Sequence, residues 1–248
     1  MIIKFLEFNQ ESEFKPIKSF YLKDELNPKI WTDFKLDDGI REDLLKIAND
    51  YVEHLDIEEI DIDDIIFTGS LSNYNWSEYS DFDIHVIFDF SKINEDEVLV
   101  KKYMDASRWI WNDQHDILIS GYEVELYSQN SSEKHVASGQ FSLLNNKWIK
   151  KPTKENFVPD EELIKTKSSD IMSKIDDMEG DFENNYNYEV LSEKVSKIWK
   201  KVKDNRQGGL DKDGEFSIEN LVFKLLRRNG YIKKLIDLKS SVYDKQFE

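Results

Sequence analysis

Asp81 and Asp83 flank Phe82 directly after a loop that opens at Gly69-Ser70, and no other grouping in the chain is as well suited to chemistry. Phe82, Ile84, Val86 and Phe88 put apolar side chains at every second position, so the segment reads as a strand with one buried face. Asp81, Asp83 and His85 then share the opposite face. Carboxylates at i and i+2 on a strand stand roughly 7 Å apart at Cα, near enough for their side chains to converge on divalent ions. A core has no use for such a pair unless something cationic neutralises it. The residues ahead of the loop, Asp64-Ile65-Ile66-Phe67-Thr68, read as a second, buried strand.

Transfer of a nucleotide requires a neutralised triphosphate, an exposed α-phosphorus and a deprotonated, aligned acceptor oxygen. Two Mg²⁺ (or Mn²⁺) ions held by three carboxylates meet all of these needs. Asp81 and Asp83 supply two ligands, and the third must come from a neighbouring strand. Gly121-Tyr122-Glu123-Val124-Glu125-Leu126-Tyr127 alternates acidic and apolar residues, so Glu123 and Glu125 point the same way. Glu125 is the expected third ligand, with Glu123 one face-repeat away as its alternative; an acidic alternation also describes a solvent-facing edge. Gly69 permits close backbone approach, and Ser70, at the start of an expected helix, is placed to hydrogen-bond terminal phosphates.

Other groups carry weaker signals. His85 shares the carboxylate face and could contact phosphate or acceptor, although the three-carboxylate chemistry does not require it and a supporting or solvated imidazole is the plainer reading. Tyr74, Trp76 and Tyr79 could stack on a base, yet aromatic loops more often pin themselves to their own core. Lys224, Arg227 and Arg228 could reach a triphosphate from the C-terminal part of the chain; the plainer reading of each is a solvated helix face.

The elements that must position these residues follow from periodicity. Residues 2–8 read as a short strand, and Pro16 and Pro28 interrupt the stretch that follows. Asp37-Asp38-Gly39 opens a helix whose stripe is Ile40, Leu44, Ile47, Ala48, Tyr51 and Leu55. After the Asp81 strand, Ser91 or Asn94 is the expected cap of a helix running to about Asn112. Residues 140–144 and 147–150 flank Asn145-Asn146 as a hairpin. From about Pro159 the pattern turns helical, with one stripe through Leu191, Val195, Ile198, Trp199 and Val202 and another through Ile218, Leu221, Val222 and Leu225. Gly230 is expected to end or bend the latter. Gln207 to Gly214 reads as a loop between helices, and its spacing fails as a calcium loop. The expectation is an α+β fold, a mixed sheet with flanking helices over residues 1–152 and a helical lobe over residues 153–248.

Composition narrows the setting. The chain has 248 residues, enough for a substantial core in two lobes, and no cysteine, which removes disulfides and thiolate metal sites and fits a reducing cytosol. Met1 to Leu6 is too soon interrupted by Glu7 to be a signal peptide, and no run approaches a membrane span, so a soluble, cytoplasmic protein is expected. The net charge of −17 is uneven: residues 191–240 carry 13 Lys and Arg against 7 Asp and Glu. An acidic N-terminal part repels long nucleic acid and attracts Mg²⁺, while the basic tail could face phosphates.

Thr68-Gly69-Ser70, the spacer Leu71 to Ser80 and Asp81-Phe82-Asp83 together resemble the nucleotidyltransferase superfamily with the DNA polymerase beta-like catalytic core. The resemblance covers roughly residues 38–127 and implies a nucleotidyltransferase-type mixed sheet, Mg²⁺, a nucleoside triphosphate such as ATP, and an acceptor that could be RNA, protein or a small molecule. Members more often carry Asp as the third carboxylate. A looser likeness to small nucleotidyltransferases predicted in bacteriophage genomes continues into Trp148 to Pro152 and Leu225 to Tyr231. Two rival readings are a catalytically silent member of the fold, acting as a regulator or antitoxin-like partner, and a glycosyltransferase whose Asp-x-Asp binds a metal on a nucleotide sugar. The upstream strand and Gly-Ser count against the second.

Overall fold

The computed structural model describes residues 14–58, 60–134, 137–184 and 187–248. The strand expected over residues 2–8 lies outside them. The fold is α+β, a mixed six-stranded sheet with helices followed by a C-terminal helical region. The described residues divide into two compact units, one within Leu22–Asn156 and the other combining residues 14–21 with Phe157–Glu248.

In the first unit a two-residue hairpin pairs β1 (Trp31–Thr32) with β2 (Lys35–Leu36). Helix α1 (Asp38–His54) follows, its N-terminus capped by the Asp37 carboxylate, which accepts from the Ile40 amide at 3.0 Å. It buries Ile40, Leu44, Ala48 and Tyr51 at the spacing of one helical face. Next come β3 (Ile62–Thr68), β4 (Phe82–Phe88), a single turn α2 (Phe90–Ile93), α3 (Glu97–Gln114), β5 (Leu118–Ile119), β6 (Tyr122–Asn130), β7 (Gln140–Ser142) and β8 (Lys147–Lys150). The sheet order is β5-β6-β4-β3-β7-β8, with β4 and β6 parallel and the other pairs antiparallel. Asn146, at φ 49°, turns the β7–β8 hairpin as its residue type allows, although Leu143 and Leu144 belong to the turn and not to the strand.

The helix after β4 starts later than its sequence suggests. Asp89 caps the single turn α2, Asn94 leaves it in extended conformation, and Asp96 caps α3 by accepting from the Leu99 amide. An aspartate immediately ahead of each helix satisfies the first free amides, and Ser91 and Asn94 are displaced from that role.

The second unit contains α4 (Glu161–Glu183), α5 (Tyr188–Asp213), α6 (Ile218–Arg228) and α7 (Tyr231–Asp244). Helix α4 buries Ile164, Ser168, Met172, Ile175 and Met178, three and four residues apart. The expected loop from Gln207 is instead helical: α5 continues to Asp213 and ends at Gly214, φ 71°. Gly209 is buried there, and a Cβ on it would meet Ser217 Oγ at 2.8 Å, so this glycine is a contact point between α5 and the turn into α6. Gly230, φ 77°, separates α6 from α7 as expected. A 3₁₀ segment, Lys15–Phe20, also belongs to this unit, because Ile17 and Phe20 are buried in its apolar cluster with Leu225 and Leu226. Among the described residues no helix is long and apolar enough to cross a membrane.

Candidate active site

Sheet register assembles the carboxylates. Asp83 of β4 and Glu125 of β6 are direct partners across the parallel pair, so their side chains leave the same face side by side. Asp81, two residues before Asp83 and just ahead of β4, joins them. One carboxylate oxygen from each of Asp81, Asp83 and Glu125 lies within 4.8 Å of the others, and all three residues are half-buried. Three hard oxygen donors converging in this way fit Mg²⁺ or Mn²⁺. Glu123, the alternative third ligand, is exposed, pairs with Leu118 of β5 and lies outside this group.

Gly69 follows Thr68, which is itself paired with Asp83. Its backbone, at φ 79° and ψ −163°, runs against that carboxylate. Ser70 begins a 3₁₀ turn of three residues, Ser70–Ser72, and not the expected helix. The macrodipole of a full helix is therefore missing, and what the turn offers phosphates is local amide and hydroxyl groups. The turn is held firmly. Trp31 Nε1 donates to Leu71 O at 2.8 Å, while Thr68 Oγ1 and Ser72 Oγ donate to Gly139 O at 2.9 and 3.1 Å. Ser70 Oγ shares a 2.7 Å hydrogen bond with Ser80 Oγ, which also accepts from the Ser77 amide. The two ends of the spacer loop are thereby tied together immediately ahead of Asp81.

The loop aromatics are anchored to their own unit. Trp76 Nε1 donates to Glu25 O at 2.9 Å, Tyr74 O accepts from the Lys23 amide at 2.7 Å, and both rings pack on the core. Tyr79 is the more exposed ring. Lys224 and Arg228 lie on α6 in the helical unit, where Arg228 donates to Ser19 Oγ and its guanidinium sits 4.7 Å from the Phe20 ring centroid. That engagement accounts for Arg228 within its own unit.

Two residues beyond Glu125, Tyr127 donates its hydroxyl to Glu125 Oε2. Burial, followed by the charges of Asp83 and Glu125, pushes this phenol well above the usual tyrosine range. It stays protonated and keeps donating. His85, its register partner on β4, stacks on the ring at 4.8 Å and an interplanar angle of 15°. His85 Nδ1 is in turn 2.9 Å from Gln129 Oε1. His85 thus supports Tyr127, which the carboxylate chemistry had given no reason to expect. The period-two alternation that singles out Glu123 and Glu125 also places Tyr127 on their face, so its presence was readable. The Arg108 guanidinium 4.9 Å from the Tyr127 ring was not, because it arrives from α3.

No protein-family model matches the chain, and no curated protein matches it. Among solved structures it is similar to a STING-associated CdnE c-di-GMP synthase from Capnocytophaga granulosa, at 12% identity over 85% of this chain and 84% of that one, with a TM-score of 0.24.

Proposed function

We propose that the chain is a divalent-cation-dependent nucleotidyltransferase, moving a nucleoside monophosphate from a nucleoside triphosphate to an acceptor with release of pyrophosphate. The observation that carries this reading is the convergence of Asp81, Asp83 and Glu125 beside the Gly69-Ser70 turn. Asp81 and Asp83 would hold Mg²⁺ or Mn²⁺, and Glu125 would complete the site. The bound ion supplies charge neutralisation for the triphosphate and acidifies the acceptor hydroxyl. Glu125, hydrogen-bonded by the Tyr127 hydroxyl, would be held as a ligand beside the ion that acidifies the acceptor hydroxyl. Gly69 leaves room for the Asp83 carboxylate against the backbone, and Ser70 with the amides of its turn can donate to phosphate oxygens.

A thermal-shift panel of ATP, GTP, CTP and UTP, each with and without Mg²⁺, followed by a pyrophosphate-release assay, tests this reading. Mg²⁺-dependent stabilisation by at least one triphosphate, with pyrophosphate release that Asp83→Asn abolishes, is the expected result. Metal-dependent binding without turnover on any acceptor would favour a silent regulator. Stabilisation by nucleotide sugars alone would favour the glycosyltransferase, and no response to any nucleotide would sink the proposal.

A further inference from the structure

We propose that Tyr127 is a positioning residue that confines Glu125 to a single ligating oxygen and thereby biases the three-carboxylate site toward Mg²⁺ over Ca²⁺; this rests on the metal-site reading above. The Tyr127 hydroxyl donates to Glu125 Oε2, so that oxygen already has a partner, while one oxygen of Glu125 converges with those of Asp81 and Asp83. The phenol is held where it is. His85 stacks on its ring at 4.8 Å, with Gln129 fixing the imidazole at 2.9 Å, and the Arg108 guanidinium carbon lies 4.9 Å from the ring centroid. The backbone beneath is fixed as well: Asn112 of α3 donates to Leu126 O at 3.0 Å and accepts from the Leu126 amide at 3.1 Å. Four residues earlier on the same helix stands Arg108, so one face of α3 secures both the strand edge and the ring.

The consequence follows from what each cation accepts. Mg²⁺ is small, demands near-octahedral geometry and commonly takes one oxygen from each carboxylate while keeping several waters. Ca²⁺ takes six to eight oxygens and gains from bidentate carboxylates. A phenol bound to one oxygen of Glu125 competes with the bidentate mode, which disfavours Ca²⁺ more than Mg²⁺. Removing the hydroxyl while keeping the ring therefore changes selectivity more than it changes the fold.

The test uses the full chain. Bound Mn²⁺ is followed by electron paramagnetic resonance, and Mg²⁺ or Ca²⁺ is titrated to displace it from the wild type, Tyr127→Phe and Arg108→Met. In Tyr127→Phe the affinity ratio of Ca²⁺ to Mg²⁺ should rise about tenfold, the lower end of what loss of a ligand's supporting hydrogen bond does to metal sites. Arg108→Met, which frees the ring without removing the hydroxyl, should move the ratio the same way by less, and it carries the test if the first variant does not fold. A ratio within twofold of the wild type in the folded variants overturns the inference and leaves the metal site standing. Failure of the wild type to bind Mn²⁺ at all overturns both.

Discussion

A Cβ atom built on Gly69 would lie 1.8 Å from Oδ2 of Asp83, closer than any real side chain could stand. The backbone there also occupies a region, φ 79° and ψ −163°, that is essentially reserved for glycine. Gly69→Ala should therefore act twice: it strains the chain by about 1–3 kcal/mol, and it drives the Asp83 carboxylate out of the cluster. Urea unfolding measures the first effect and Mn²⁺ binding the second. An alanine variant that binds Mn²⁺ as the wild type does would show that Asp83 needs no such clearance.

Asp81→Asn, Asp83→Asn and Glu125→Gln each remove one negative charge from a half-buried group whose members repel one another. In metal-free buffer these variants should be as stable as the wild type or more so, because each relieves repulsion among three like charges. With Mg²⁺ at about 100 times its dissociation constant, the wild type should gain about 2.7 kcal/mol and the variants little. Melting curves with and without Mg²⁺ decide the matter: equal gains in all four proteins would mean that the ion binds elsewhere.

Local pattern made the two Asp residues and Glu125 legible, because strand alternation fixes which side chains share a face, and the parallel register then sets Asp83 against Glu125. The same alternation could not separate Glu125 from Glu123. That choice depends on the stagger between β4 and β6, a long-range pairing that neither strand encodes alone. The helix start at Asp96 was misread because Ser91, Asn94 and Asp96 are all competent caps, and competition among them is settled by tertiary packing. Gly208-Gly209 was read as a loop because glycine is a poor helix former; the buried contact of Gly209 with the Ser217 turn overrides that propensity. The place of Lys15–Phe20 in the helical unit rests on Ile17 and Phe20 packing with a cluster drawn from Ile164 to Ile232, which no periodicity announces.

Asn112 stands in for a missing strand. Beyond Glu123 the outer edge of β6 has no partner in the short β5, and the Asn112 amide supplies both a donor and an acceptor to Leu126. Asn112→Ala leaves those two backbone groups without their partner and should cost about 1–3 kcal/mol. Asn112→Asp should restore the acceptor but not the donor, recovering part of the loss. Chemical denaturation of the three proteins checks the order; equal stability of the alanine variant and the wild type would show that water satisfies this edge.

Tyr51 gives the fold an alkaline limit. Its side chain is fully buried in the core, with the hydroxyl 2.6 Å from Ser128 Oγ. Burial pushes its pKa up to about 12, with the Ser128 hydrogen bond and Arg108 pulling the other way. A tyrosine in the unfolded chain ionises near 10, so between those two values the folded state holds a proton that the unfolded state has released. The contribution is whole below about pH 10 and is lost as the pH climbs toward 12, in all about 3 kcal/mol for this group. Tyr51→Phe forfeits the hydrogen bond, which should cost about 1 kcal/mol at neutral pH, yet it has no proton to lose. Its stability should consequently fall less steeply than that of the wild type across the alkaline range, and the two curves should approach each other near pH 11. Urea titrations at pH 7, 10, 11 and 12 measure this directly. Parallel curves separated by a constant gap would mean that Tyr51 ionises at the same pH in the folded and unfolded chains, so that burial does not raise its pKa.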